Sequence, residues 1–176
     1  NATSGELVYG KDYTYPAETG VLTILSETAV TISNTDNSNS TTDTIVVAKH
    51  VLANITLNGV SIDVSATSGK TAFEIAENST GNVTVTLAGD NTLKSGEYRA
   101  GLQKNGSGVT IGTLTIQGGT NGTGTLTATG GDGGAGIGGG EKGDGSKINI
   151  SGDKNNTSTK KNRTAIKSNS DDDRNR

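Results

Sequence analysis

Two landmarks recur in fixed order about every thirty residues along this chain, and that repeat narrows what it can fold into. The first pairs β-branched or Leu residues two apart: NITLNGVSIDVS (54–65), NVTVTLAGDNTLKS (82–95), GTLTIQGGTNGTGTLTATGG (112–131) and KINISGDKNNTSTK (147–160). With Ile55, Val83, Leu114 and Ile148 taken as equivalent, the spacings are 28, 31 and 34 residues. The second runs through TAFEIAE (71–77), RAGLQKNG (99–106), GAGIGGGE (134–141) and RTAIKSNS (163–170), and it sets Leu102, Ile137 and Ile166 at intervals of 35 and 29. Inside each unit the apolar residues alternate at period two, as in Ile45/Val47, Phe73/Ile75 and Val83/Val85/Leu87, which is a strand signature. No helical stripe of useful length interrupts them.

Composition sharpens the expectation. Only 29% of the 176 residues are apolar and 3% aromatic, which is thin for a globular core. Gly supplies 27 residues, and turns rich in Asn-Gly, Gly-Gly and Ser-Gly permit positive φ between short strands. A unit of thirty residues cannot bury an apolar face alone, so successive units must stack on a shared narrow core. The predicted fold is therefore all-β: a single-stranded parallel, right-handed β-helix or solenoid with about 28–35 residues and three short strands per coil. Residues 1–20, with three of the four Tyr and the only Pro, read as an N-terminal cap, residues 21–152 as the coils, and residues 153–176 as a degenerate polar last coil or C-terminal tail. NTDNSNSTTD (34–43) reads as a projecting loop.

The segments TTDTIVVAKHVLANITLNGVSIDVS, AFEIAENSTGNVTVTLAGDNTLKSG, AGLQKNGSGVTIGTLTIQGG and GTLTATGGDGGAGIGGG resemble a group of repeat proteins over residues 20–152. These are the adhesin-like, carbohydrate-binding parallel β-helix domains of surface proteins from anaerobic Firmicutes and methanogenic archaea. The resemblance implies display outside the cell, at the surface or secreted, with polysaccharide as partner in some branches. It supplies no catalytic residues. Residues 151–176 depart from the pattern, with Lys, Asn, Asp and Arg where it has Gly.

Several classes of chemistry are excluded or weakened by the residues themselves. There is no Cys, which removes disulfides, thiol chemistry and Cys-based metal sites. No stretch approaches the roughly 18 apolar residues of a membrane-spanning helix. The net charge is −3, but residues 153–176 hold seven of the 15 basic and four of the 18 acidic residues, so the rest carries −6. A basic cluster confined to a polar tail without aromatics does not suit nucleic acid.

The run GGDGGAGIGGGEKGDG (130–145) lacks the order of a phosphate-binding loop, and no helix follows it. Asp132, Glu141 and Asp144 stand among its glycines as a Ca²⁺ candidate, although their spacing departs from the repeated calcium nonapeptide. For polysaccharide, Tyr98 offers a ring to stack on a sugar face, with Glu97 and Arg99 to bond hydroxyls and Lys104 one turn further on. A tyrosine packed over a loop beside a surface ion pair accounts for the same residues. Tyr9, Tyr13 and Tyr15 form a second candidate platform, or cover the core end.

The leading expectation is thus a non-catalytic extracellular surface module that binds glycan. The alternative is a structural subunit that associates end to end through its solenoid ends into a filament or stalk, since stacked strands template their own extension. A calcium-dependent pectic lyase built on Asp90, Lys94, Glu97, Tyr98 and Arg99 ranks below both.

Overall fold

The structure is a computed structural model and describes residues 6–36, 38–120, 124–151 and the strand at 156–159. Its elements are β1 (Tyr13–Thr14), β2 (Val21–Ile24), β3 (Val30–Ile32), β4 (Thr44–Val47), β5 (Ala53–Asn58), β6 (Ser61–Asp63), β7 (Phe73–Ile75) and β8 (Val83–Ala88). They continue with β9 (Asp90–Lys94), β10 (Leu102–Lys104), β11 (Leu114–Gly118), β12 (Thr125–Thr129), β13 (Ile137–Gly138), β14 (Ile148–Ser151) and β15 (Asn156–Thr159). Among the described residues there is no helix.

The strands sort into three sheets. The first runs β1-β2-β4-β7-β10-β13, the second β14-β11-β8-β5-β3 and the third β15-β12-β9-β6. The second and third are parallel throughout, whereas the first begins with an antiparallel pair, Tyr13 opposite Ile24 and Thr14 opposite Thr23. This arrangement corrects the predicted single-stranded parallel β-helix of uniform three-strand coils: three separate sheets of six, five and four strands form, and no closed solenoid is seen among the described residues.

Local chemistry explains the departures. Pro16 accepts backbone bonds from Thr19 and Gly20 in a tight turn, which reverses the chain between β1 and β2 and makes that pair antiparallel. The polar stretch 34–43 has no alternating apolar residues, so where the third sheet would gain another strand it gives only an isolated bridge from Thr41 to Ile62.

The core is a set of ladders in which one apolar residue stands on the next at the strand spacing. In the first sheet Leu22, Ile45, Phe73, Leu102 and Ile137 succeed one another, and in the second Val30, Ile55, Val85 and Ile116 do so. Phe73, Leu102, Val85, Ile116 and Leu126 are fully buried. Each such side chain contributes about 1.5–3 kcal/mol on burial, so narrow ladders suffice for a chain poor in apolar residues. The pairings place Val83, Leu114 and Ile148 in register as the repeat predicts, but Val83 stands opposite Ala53, and Ile55 opposite Val85. The first repeat is therefore aligned two residues out, a slip that keeps every side chain on its own face.

Candidate functional site

Tyr98 sits in the loop between β9 and β10, half exposed, with φ of +68°, a left-handed conformation unusual for an aromatic residue. Two backbone bonds fix it there: its N–H donates to the Asp132 carbonyl and its carbonyl accepts from the Glu141 N–H. The loop is locked to the preceding tier as well, since Gly69 N–H donates to the Glu97 carbonyl and Arg99 Nε donates to the Gly69 carbonyl at 3.0 Å. Glu97 and Tyr98 thus stand on the surface, while Arg99 is directed back along the molecule.

Lys104 is not beside them as a surface group. It pairs with Ile75 in the first sheet, occupies the ladder of Ile24, Val47 and Ile75, and retains only 4% exposure. Its ammonium donates to the Ser146 carbonyl at 2.8 Å, and burial, followed by the nearby Lys147 charge, lowers its pKa. Lys104 is two residues from Leu102, and on a strand that parity sends both side chains inward. A ligand on the Tyr98 face does not reach it.

The glycine run is explained by close approach. A Cβ at Gly139 would stand 2.0 Å from the Gly143 carbonyl oxygen, and one at Gly140 would stand 2.6 Å from Gln103 Oε1. Gly139 needs bare backbone to close its own turn, and Gly140, whose Cβ would also stand 2.7 Å from the Tyr98 carbonyl oxygen, needs it to seat on the preceding tier. Beneath them Gln103 is fully buried; its Oε1 accepts the Ala100 N–H, and its Nε2 has no partner among the described residues.

Backbone bonds position the Ca²⁺ candidates. Asp132 and Glu141 flank Tyr98 through their backbones, and Asp144 instead receives the Gly106 N–H. Among the described residues no three His, Cys, Asp or Glu side chains converge as metal ligands. Two of the lyase candidates have other partners: Lys94 Nζ lies 3.3 Å from Asp63, and Asp90 accepts the Thr125 hydroxyl at 2.8 Å. His50, exposed at φ +67°, shares a 2.9 Å bond with Thr80.

A concave site lies elsewhere, at the end of the molecule where the third sheet is one strand short. A half-open cleft of about 640 Å³ is lined by Tyr13 and Tyr15, by Leu22, Ile32, Ile45 and Ile62 from the ends of the ladders, and by Asn34, Asp36, Asn39 and Asp43 from the polar stretch. Its volume falls within the roughly 300–1,000 Å³ typical of small-ligand sites.

Each wall is held in place. Tyr15 donates to Asp43 at 2.5 Å, a bond that, with burial second, raises the tyrosine pKa and keeps its hydroxyl neutral. Asn34 spans the gap to the third sheet, with Nδ2 donating to the Ser61 carbonyl at 2.9 Å and Oδ1 accepting the Ser61 N–H at 3.3 Å. Asp36 accepts from the Ser38 hydroxyl and N–H and from Asn39, which together lower its pKa to about 2. Tyr9 packs edge-on to Tyr13 with centroids 5.7 Å apart and steadies that ring.

The cleft joins two features that the sequence offers separately, the tyrosines of residues 1–20 and the projecting loop 34–43. Neither a protein-family model, nor a curated protein, nor a solved structure matches this chain.

Proposed function

We propose that this chain is a non-catalytic, extracellular glycan-binding module, and that its binding face is the cleft beside Tyr13 and Tyr15. The observation that supports this is the lining: two tyrosines and an apolar floor next to amide and carboxylate groups. Sugars present just those complements, a C–H face for aromatic contact and a rim of hydroxyls for polar groups. Tyr98 offers a ring without concavity and without Lys104, so it is the weaker of the two surfaces.

The test is retention of purified protein on a panel of immobilised polysaccharides. Wild type is retained on at least one, Tyr15→Ala weakens that binding by about tenfold or more, and Tyr15→Phe keeps most of it because the ring survives. Failure of the wild type on every polysaccharide removes the proposal.

The second reading, association end to end, draws on β13, β14 and β15, each the last strand of its sheet among the described residues. Edges of this kind invite pairing by another chain. Sedimentation over a range of concentrations distinguishes the readings, since a self-pairing chain gains mass with concentration and a monomeric binding module does not.

A further inference from the structure

The cleft carries charge of one sign. Asp36 and Asp43 are the charged side chains among its described lining, and no Lys, Arg or His lines it. Lys70 of the following tier stands outside that lining, its ammonium donating to the Thr42 carbonyl at 2.8 Å. Asp36 keeps its charge through three donated bonds from Ser38 and Asn39, and Asp43 holds its position through the Tyr15 hydroxyl. Two fixed carboxylates in a partly enclosed, apolar-floored space focus a negative potential into the volume where a ligand would sit. A ligand carboxylate entering there meets two carboxylates and no cation among the described lining, while a ligand ammonium gains charge-assisted bonds.

We infer that the cleft selects an amine-bearing, cationic sugar over its N-acetylated counterpart and over uronic acids. This rests on the glycan-binding reading and adds the chemical class of the ligand. Tyr15 and Tyr13 supply the face for the ring, and Asp36 and Asp43 supply the partners for the amine.

The deciding experiment is calorimetric titration of the full chain with three oligosaccharides of equal length: glucosamine, N-acetylglucosamine and galacturonate oligomers. The glucosamine oligomer binds about tenfold or more tightly than its N-acetylated form, the galacturonate oligomer does not bind, and the preference shrinks as salt rises past ~0.15 M. Asp36→Asn, a change in an exposed loop, and Asp43→Asn each reduce the preference. Tyr15→Ala, which leaves both carboxylates, weakens the glucosamine oligomer as well; if it does not, the attraction is diffuse surface charge and the inference is overturned. Equal or tighter binding of the N-acetylated or the acidic oligomer also overturns it, while leaving the glycan reading intact. Binding of none of the three, together with no retention on any polysaccharide, overturns both.

Discussion

Asn91 joins three tiers through one side chain. It is 1% exposed; its Oδ1 accepts the Val60 N–H at 2.8 Å, and its Nδ2 donates to the carbonyls of Ala88, Gly89 and Thr125. Asn91→Ala strips the Val60 N–H of its acceptor in a buried site, which costs about 1–3 kcal/mol in urea unfolding. Asn91→Asp is worse at neutral pH, because a carboxylate then faces three carbonyl oxygens with no proton to give. The sequence shows Asn91 only as a polar residue in a turn-rich stretch; that it is internal depends on the Val60 N–H and the Thr125 carbonyl, 31 and 34 residues away in the chain. Lys104 is the opposite case. Its inward position was legible from its parity with Leu102, but chemical type suggested surface, and the Ser146 carbonyl that satisfies it lies 42 residues further on.

At the scale of elements, the antiparallel pair of β1 and β2 is fastened by Asp12. This buried carboxylate accepts the Val8 N–H at 2.9 Å, the Ser26 hydroxyl at 2.6 Å and the Thr28 hydroxyl at 3.1 Å. The Ser26 bond, then the Val8 bond, hold its pKa below the ordinary 3.8. A carboxyl with a depressed folded pKa adds stability that is complete above its unfolded value and is lost as pH falls through the folded one. The melting midpoint therefore drops on acidification below about pH 4, and Asp12→Asn lowers the midpoint at neutral pH while flattening that acid limb. Thermal scans from pH ~7 to ~3 on both proteins check this. The strands were largely legible here from period-two alternation, whereas the reversal at Pro16 was not, because a lone proline marks a turn without giving the direction of the chain beyond it. The second landmark held through Leu102 and Ile137, which pair directly, while Ile166 lies outside the described residues.

For the molecule as a whole, neighbouring strands come from successive repeats, so stability is graded along the stack. β8 is bonded on both sides, by β5 and by β11, whereas β1 meets β2 alone. Amide exchange followed by mass spectrometry finds the slowest exchange in β5, β8 and β11 and the fastest in β1; uniform exchange across the tiers would contradict a graded structure. The repeat made the stacking visible in the sequence, because equal spacing is a property of the string. The cleft was not visible, because it arises from a strand that fails to form, and the tyrosines beside it come from outside the repeat.

That missing strand separates two tasks that most small domains must share. Asn34 and Thr41 pin the loop to β6 through backbone partners at Ser61 and Asp63, while the described residues between them carry none of the ladder bonds that hold the sheets. Positions 35, 36 and 38–40 can therefore be rewritten in charge with little demand on the core. A library confined to those positions would change what the cleft recognises while the same scaffold goes on folding.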